Sequence, residues 1–251
     1  MARRVTLVTG ASAGLGLHFA RQCRARGDEL VLVARRRERL EALAAELGSA
    51  HVIPADLARP GAPAKLIEDV AGMGLEVETL INNAGFGAAS AFVEAPPERL
   101  LEMVDLNVRS LTELCRLALP PMLERRRGFI LNVASTAAFQ AGPYSAVYYA
   151  TKAYVLSLSE ALHEEVKRRG VHVSALCPGP TATEFFEVAG SPNGRLARMA
   201  TDPAAVCAAG LAGLARNKAI VVPGVMNKMT SQAGRILPRK VLRKAVAALK
   251  G

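Results

Sequence analysis

The sequence predicts a three-layer α/β fold, in which helices cover both faces of a doubly wound parallel sheet. Short β-branched runs alternate along the chain with stretches of helical periodicity. Those runs are apolar almost throughout, as expected of strands that are covered on both faces. No repeat or low-complexity tract interrupts the series. With 251 residues, of which 51% are hydrophobic, the chain can form one large core, so a single domain is expected.

Seven strands are expected in chain order. They cover residues 5–9, 29–33, 51–54, 78–81, 129–133, 172–176 and 219–222. Helices are expected between them, for example over residues 38–47 and 148–169, where the hydrophobic period is helical. Residues 191–194 read Ser-Pro-Asn-Gly and predict a loop in an inserted segment, because they follow the apolar Phe185 and Phe186.

The charge of the chain is concentrated near its C-terminus. The net charge is +10, yet neither Asp nor Glu follows Asp202. The basic residues of this last stretch are Arg216, Lys218, Lys228, Arg235, Arg239, Lys240, Arg243, Lys244 and Lys250. We therefore divide the domain into residues 1–222, which form its body, and residues 223–251, a basic C-terminal extension.

The extension contains a candidate amphipathic helix. One face would carry Val241, Leu242, Ala245, Val246 and Leu249. Packing against the fold or a second copy of the chain is the favoured explanation, and contact with an anionic membrane or an acidic carrier stays open. Nucleic acid is not expected, because the extension has no aromatic residue for base stacking.

The cysteines predict neither a metal site nor disulfide bonds. Cys23, Cys115, Cys177 and Cys207 are far apart in apolar surroundings, with no Cys-x-x-Cys pair. There is no recognisable signal-peptide core and no apolar run long enough to span a bilayer. The expected location is the cytoplasm, with association at a membrane surface left open.

A glycine-rich loop directly after the first strand predicts nucleotide binding. Residues 9–16 read Thr-Gly-Ala-Ser-Ala-Gly-Leu-Gly. Gly10, Gly14 and Gly16 would allow backbone N–H groups to approach a pyrophosphate at the start of the first helix. The alternative is an ordinary tight turn between a strand and a helix.

The end of the second strand bears on which dinucleotide binds. An acidic residue there would accept the ribose hydroxyls of NAD, but Ala34 is followed by three arginines, Arg35 to Arg37. Three cations at a helix N-terminus oppose the macrodipole, and an anion would offset them. We expect Arg35, supported by Arg36, to bind the 2′-phosphate of NADP. The alternative is a solvated basic face.

Tyr148 and Lys152 predict a site for proton transfer. Their i, i+4 spacing places them on one helix face, where an ammonium group would lower the pKa of a phenol from its usual value of ~10. Ser135 follows the fifth strand at the same edge of the sheet and could hold a carbonyl oxygen against the tyrosine. Alone, the Tyr-x-x-x-Lys spacing is common and would fit an ordinary helix.

Taken together, these motifs resemble those of the short-chain dehydrogenase/reductase family, from Val5 to about Val222. The matching residues are the glycine loop at 9–16, Asp56, Leu57, Asn82, Asn83, Ala84, Gly85, Asn107, Ser135, Tyr148, Lys152, Pro178 and Gly179. The resemblance implies a Rossmann fold. Two departures stand out: Ala13 replaces the basic loop residue of many NADP-using relatives, and the chain continues well beyond Pro223 and Gly224.

The resemblance also implies roles for individual residues. Tyr148 would be the general acid/base, Lys152 would lower its pKa and hold the nicotinamide ribose, and Ser135 would orient the substrate oxygen. Asn107 would anchor a water in the proton relay. Asp56 and Leu57 would flank the adenine. The remaining cofactor contacts would come from Gly10, Ser12, Gly14, Leu15, Gly16, Arg35, Arg36, Asn83, Ala84, Gly85, Pro178, Gly179, Thr181 and Thr183, with no metal.

The expected activity is NADP-dependent interconversion of a ketone and a secondary alcohol by hydride transfer, with NADP favoured over NAD. Residues 139–145 and 184–199 would contact the substrate, and Phe185, Phe186 and Val188 favour a lipid-like or bulky hydrophobic carbonyl. Two alternatives remain: a 3-oxoacyl-thioester reductase that docks an acidic carrier, and a regulatory protein that binds NADP without turnover. A homodimer or higher homo-oligomer is expected.

Overall fold

The computed structural model describes residues 2–48, 50–185, 189–190 and 200–250. Seven parallel strands form one sheet in the order β3-β2-β1-β4-β5-β6-β7. The strands are β1 (Arg3–Thr9), β2 (Glu29–Ala34), β3 (Ala50–Pro54), β4 (Leu75–Asn82), β5 (Gly128–Val133), β6 (Val171–Leu176) and β7 (Ile220–Val221). The predicted fold class is confirmed, and each predicted strand is present, although the last is shorter than expected.

Helices connect the strands and cover both faces of the sheet. In chain order they are α1 (Gly14–Ala25), α2 (Arg37–Leu47), α3 (Ala62–Gly72), α4 (Pro97–Val104), α5 (Leu111–Glu124), α6 (Ala146–Val166), α7 (Pro203–Ala215), α8 (Val225–Ile236) and α9 (Arg239–Lys250). A π-helical turn, Asp105–Ser110, joins α4 to α5, and a 3₁₀ turn, Thr136–Phe139, follows β5. The loop predicted at residues 191–194 lies outside the described residues.

The core has two halves, one on each face of the sheet. Leu7 and Leu80 belong to the cluster on one face, whereas their chain neighbours Val8 and Ile81 belong to the cluster on the other, and all four are fully buried. Alternation of this kind follows from the period of two in a strand. It explains why the central strands are continuously apolar in sequence.

The order of the strands determines where a ligand can bind. From β1 the chain builds outward through β2 and β3, then returns to β4 on the other side of β1. This reversal separates the connections at the carboxyl ends of β1 and β4, and ligands of open α/β sheets bind in the resulting crevice. The predicted glycine loop follows β1 and lies at this point.

The C-terminal extension packs against the fold less completely than its sequence pattern predicts. Val246 of α9 is buried against Ala137 and Tyr149. Val241, expected on the same apolar face, is 50% exposed, and Ala245 is exposed as well. The side chain of Leu249 lies outside the described residues. The reason for the difference is that the neighbouring 3₁₀ turn and the start of α6 offer α9 only a small apolar surface.

Two further features of the fold are the burial of the cysteines and the character of the helices. The four cysteines are free and buried. Burial raises the pKa of the Cys23 and Cys115 thiols to about 12, so these thiols stay protonated near neutral pH. Within the described part of the chain, no helix combines the length and the apolar character needed to cross a bilayer.

Candidate active site

The glycine loop after β1 has a backbone that side chains would disrupt. Gly10 and Gly14 have φ values of +67° and +54°, which favour glycine. A Cβ on Gly16 would overlap the carbonyl oxygen of Gly10. One on Gly14 would lie 3.2 Å from Cβ of Thr183. These three glycines therefore form a cradle open to close backbone contact, which fits the pyrophosphate of a dinucleotide at the N-terminus of α1.

Hydrogen bonds from the segment after β4 fix the position of this loop. The amide Nδ2 of Asn83 donates to the carbonyl oxygens of Thr9, at 2.9 Å, and Gly10, at 3.3 Å. The backbone N–H groups of Asn83 and Ala84 both donate to Oγ1 of Thr9, each at 3.0 Å. Thr9, which the sequence reasoning did not assign a role, thus links β1 to β4. Asn83 has a clear structural function here, whatever it contributes to a cofactor.

The three arginines after β2 each pair with a carboxylate. Arg35 donates to Glu102 at 3.1 Å. Arg36 instead turns towards the glycine loop, where its Nη2 lies 3.3 Å from Oγ of Ser12. Arg36 also pairs with Glu184, which pairs in turn with Arg39 at 2.7 Å. Sequence reasoning missed Arg39, although it lies three residues after Arg36 and therefore nearly one helical turn further along α2.

The residues expected to flank an adenine lie at the end of β3. Oδ1 of Asp56 accepts a hydrogen bond from the backbone N–H of Ala58 at 3.2 Å, which forms a local turn. The side chain of Leu57 is 4% exposed and belongs to the core. Any contact of Leu57 with an adenine would therefore fall to its backbone. On α1, Leu15 is partly buried and its carbonyl oxygen accepts from the Cys207 thiol.

Ser135 and Tyr148 come together beyond the end of β5. Ser135 precedes the 3₁₀ turn, where its Oγ accepts from the N–H of Ala137 at 3.1 Å. Its hydroxyl also donates to the carbonyl oxygen of Pro178 at 3.5 Å, and it is close enough to Tyr148 to lower the pKa of the phenol. Tyr148 lies in the first turn of α6, and the ring of Phe185 packs against it with centroids 5.3 Å apart. The structure thus brings Ser135 and Tyr148 to the same edge of the sheet.

Lys152 lies one turn after Tyr148 and is 6% exposed. Its Nζ donates to the carbonyl oxygen of Val133 at 2.7 Å and lies 5.9 Å from the centroid of the Tyr148 ring. Burial lowers the pKa of the ammonium group from 10.5 to about 8. The lysine thus has one fixed hydrogen bond to β5, and its other two protons are available at the edge of the cleft.

The pKa of Tyr148 does not follow the direction that the spacing suggested. Burial raises the pKa of this phenol to about 12, and the hydrogen bond from Ser135 opposes the rise only in part. The physical reason is that burial destabilises the charged phenolate by more than the neighbouring groups stabilise it. In this structure the phenol of Tyr148 is therefore protonated at neutral pH, because desolvation is the largest influence on its pKa.

Three hydrogen bonds fix the side chain of Asn107 in the π-helical turn. Its Nδ2 donates to the carbonyl oxygen of Phe86 at 2.9 Å and to Oγ1 of Thr151 at 3.1 Å, while Oδ1 accepts from the N–H of Phe86 at 3.1 Å. The side chain of Asn107 therefore has no donor left for a water. A π-turn disrupts the regular i, i+4 bonding of the helix, so a backbone carbonyl is the available acceptor there. A Cβ on Gly85 would lie 2.9 Å from Oδ1 of Asn107.

The segment after β6 contacts the serine turn, α8 and the glycine loop. The carbonyl oxygen of Pro178 accepts from the N–H of Thr136 at 2.9 Å, which ties this segment to the serine turn. Gly179 is packed against Asn227 of α8 so closely that any side chain would overlap it. Thr181 is buried, and its Oγ1 donates to the carbonyl oxygen of Gly179 at 3.0 Å. Thr183 lies over Gly14, so the predicted threonine does face the glycine loop.

The surroundings of Tyr148 are apolar and tightly packed. A Cβ on Gly87 would lie 2.8 Å from Cζ of Phe185 and 3.2 Å from Cδ2 of Tyr148. Beside the tyrosine there is a cavity of about 10 Å³, room for one water. Its apolar lining includes Phe92, Leu100, Met103 and Val147. Phe186 and Val188, also expected near the substrate, lie outside the described residues.

No three His, Cys, Asp or Glu side chains converge as metal ligands in the described parts of the chain. Three kinds of chemical group come together near the carboxyl ends of the strands. They are a hydroxyl pair, Ser135 and Tyr148, a buried ammonium group, Lys152, and a loop suited to an anionic dinucleotide. These groups lie at one edge of one sheet.

Comparisons with known proteins agree with this arrangement. A sequence model of the family described as short chain dehydrogenase matches residues 4–193. The very-long-chain 3-oxoacyl-CoA reductase of Anas platyrhynchos is 33% identical over 193 residues, which are 72% of this chain and 61% of that protein. The chain thus corresponds to about three fifths of the length of that relative.

Two solved structures are similar over most of the chain. A short-chain dehydrogenase from Sphingobium yanoikuyae in complex with NADPH has a TM-score of 0.82 and 32% identity, and the match covers 96% of this chain and 94% of that one. A 3-ketoacyl-(acyl-carrier-protein) reductase from Brucella melitensis complexed with NADH has a TM-score of 0.79 and 26% identity, over 88% of this chain and 96% of that one.

Proposed function

The chain belongs to the short-chain dehydrogenase family, and from this premise we propose that it is an NADP-dependent oxidoreductase that interconverts a ketone and a secondary alcohol by hydride transfer. The observation that carries the proposal is that Ser135, Tyr148 and the buried Lys152 lie at the carboxyl edge of the sheet, which also carries the glycine loop. Structural stability does not require this set at the carboxyl edge of a sheet, whereas proton transfer to a carbonyl oxygen does.

Each residue of the set has a separate task. Tyr148 donates a proton to the carbonyl oxygen in the reductive direction, and its raised pKa keeps that proton in place until the oxygen becomes basic. Ser135 orients the same oxygen by a hydrogen bond. Lys152, fixed to the Val133 carbonyl, directs its remaining protons towards ribose hydroxyls. Asn107 positions the π-turn, whose backbone would hold the water that returns a proton.

A nicotinamide dinucleotide supplies the hydride when it is bound. Its pyrophosphate would be held by Gly10, Ser12, Gly14 and the start of α1 at Leu15 and Gly16, with Thr181 and Thr183 above. Asp56, Leu57 and the backbone of residues 83–85 would border its adenosine. The preference for NADP over NAD is supported by the basic end of β2, which has arginines where a carboxylate would bind NAD. The relatives include structures with either cofactor, NADPH or NADH.

For the substrate, we propose a hydrophobic carbonyl compound. The residues around Tyr148 are apolar, and Phe185 contributes an aromatic surface. A 3-oxoacyl thioester is a specific candidate, because two similar proteins bear the names of reductases for such compounds. The exposed Arg239, Lys240, Arg243 and Lys244 of α9 offer a surface for an acidic carrier of the thioester.

We also propose a homo-oligomer. Leu101 and Val104 of α4 are 65% and 40% exposed, and Tyr154 of α6 is 40% exposed. Exposed apolar side chains on neighbouring helices favour an interface, and α4 and α6 contact each other. A second copy would cover these side chains, and sedimentation of a Leu101→Asp variant tests this: the variant should be monomeric where the wild type is not.

The experiment that tests the function measures NADPH consumption with a 3-oxoacyl thioester and with bulky aryl ketones, alongside the same assay with NADH. Turnover that is faster with NADPH supports the proposal. Binding of NADPH without turnover of any carbonyl compound would favour the regulatory alternative. A preference for NADH would mean that the arginines after β2 are only a solvated face.

A further inference from the structure

Glu184 connects the two ends of the proposed cofactor cleft. Its Oε1 accepts from Nη1 of Arg39 at 2.7 Å, and its Oε2 accepts from Nη1 and Nη2 of Arg36 at 3.2 and 3.3 Å. Arg36 also reaches Oγ of Ser12 in the glycine loop. Two guanidinium groups from α2 and its N-cap therefore converge on a carboxylate that comes from the far side of the cleft.

The chemistry of this cluster suits a phosphate better than a carboxylate. Paired guanidinium groups donate several N–H bonds in a fixed plane, which matches the oxygens of either anion. A phosphate monoester carries about −1.5 to −2 at neutral pH and has three acceptor oxygens, whereas a carboxylate carries −1 and has two. The side chains of Arg36, Arg39 and Glu184 are 46%, 49% and 42% exposed, so water screens their ion pairs and a stronger anion can replace the carboxylate.

The neighbours of Glu184 in the chain extend its effect to the catalytic end. Thr183 lies over Gly14, and Phe185 packs on the ring of Tyr148. The N–H of Phe185 donates to Oγ1 of Thr183 at 3.3 Å, which stiffens the three residues as one unit. Displacement of the Glu184 side chain from the arginines would therefore act on the next residue, Phe185, whose ring packs against Tyr148.

We infer that Glu184 competes with the 2′-phosphate of the cofactor for Arg36 and Arg39, and that its displacement releases Phe185 from Tyr148. The inference rests on the proposed function and deepens it in two ways. It assigns the phosphate to Arg39 in addition to Arg36, because the guanidinium groups of both converge on the one carboxylate of Glu184. It also makes Glu184 a specificity-determining residue, because only a cofactor with a 2′-phosphate would displace it.

The first test uses two nucleotides that lack nicotinamide, adenosine 2′,5′-bisphosphate and adenosine 5′-monophosphate, in calorimetric titrations. Arg39→Gln should weaken binding of the bisphosphate roughly tenfold, the usual effect of a lost hydrogen bond to a charged group, and leave the monophosphate unchanged. Arg37→Gln is the matched control, since Arg37 pairs with Glu41 on the same helix. Equal effects of the two substitutions would overturn the assignment of Arg39.

The same titrations test the competition by Glu184. Glu184→Gln should tighten binding of the bisphosphate about threefold, as expected for loss of exposed ion pairs, and leave the monophosphate unchanged. Glu41→Gln should change neither. An unchanged or weaker affinity for the bisphosphate in Glu184→Gln would overturn the competition. If the wild type does not distinguish the two nucleotides, the NADP preference of the proposed function fails, which is a different outcome.

The second test follows Phe185 directly. The chain contains no Trp, so Phe185→Trp introduces a single fluorescent reporter beside Tyr148. The bisphosphate should shift its emission to longer wavelength, since the indole becomes more exposed, and the monophosphate should not. In the double variant with Glu184→Gln the emission should already be shifted without nucleotide. Binding of the bisphosphate with no change in emission would overturn the coupling, and cooperative urea unfolding of each variant verifies that it is folded.

Discussion

At the catalytic end of the cleft, Asn107 and Lys152 are 1% and 6% exposed, whereas at the arginine end the side chains of Arg36 and Arg39 are 46% and 49% exposed. Both buried groups bond to backbone atoms, namely the Phe86 peptide and the Val133 carbonyl, and Asn107 also bonds to the buried Thr151 hydroxyl. The exposed arginines bond to other side chains. The first kind of contact fixes a position, because a buried polar group without its partner costs about 1–3 kcal/mol. The second kind can be exchanged for a ligand at small cost.

This difference matches what each end has to do. Proton transfer needs atoms held within hydrogen-bonding distance, so the acid and its neighbours benefit from a rigid, desolvated setting. Recognition of a phosphate needs cations that are reachable from water and that attract an anion over a distance. The expected consequences can be ranked by the size of the effect, from the buried end outwards.

Substitution at the catalytic tyrosine should have the largest effect. Tyr148→Phe removes the proposed proton donor and keeps the ring, so kcat should fall roughly 10³-fold, within the usual range for a lost general acid. Binding of NADPH, measured by fluorescence titration, should change little. Tyr149→Phe is the control, because Tyr149 packs against Val246 of α9. Comparable turnover in the two variants would mean that Tyr148 is not the acid.

The glycine loop lies between the catalytic end and the arginine end of the cleft. Replacement of one of its glycines by alanine should destabilise the fold. Gly16→Ala places a Cβ against the carbonyl oxygen of Gly10, so we expect a loss of about 3 kcal/mol in the free energy of unfolding and a loss of nucleotide affinity. Gly72→Ala is the control, because a Cβ on Gly72 meets no atom within 4 Å. Urea unfolding curves compare the two. If they shift equally, close packing at Gly16 is not what the loop requires.

The buried ammonium group predicts a specific dependence of stability on pH. The pKa of Lys152 falls from 10.5 to about 8 on folding, so below pH 8 the fold holds an unfavourable buried charge of up to about 3 kcal/mol. As pH rises from 8 to 10.5 the unfolded state binds more protons than the folded state, and stability from this group therefore increases. Lys152→Met removes the group, so its stability relative to wild type should be higher at pH 7 than at pH 10. Urea unfolding at both pH values measures this, and a pH-independent difference would contradict the buried charge.

The same contrast explains which features of the fold and the site could be predicted from the sequence. The strands and the glycine loop follow from local patterns, because each depends on residues within one strand or turn. The partners of exposed charges depend on segments far apart in sequence, and composition near Arg36 does not reveal that Glu184, 148 residues later, reaches it. The pKa direction of Tyr148 was also out of reach, since it depends on burial by Phe185 and its surroundings rather than on the spacing to Lys152.

A change in salt concentration should have the smallest effect, and this effect should be confined to the exposed arginine end of the cleft. Raising the salt concentration from about 0.1 M to about 1 M shortens the screening length from about 10 Å to about 3 Å. Screening acts on exposed charges, so the preference for NADPH over NADH should fall severalfold, while the pH dependence contributed by Lys152 should persist because that group is buried. Titration of both cofactors at the two salt concentrations measures the preference. A preference unaffected by salt would mean that the phosphate is bound at a buried site, and the contrast between an exchangeable and a fixed end of the cleft would be wrong.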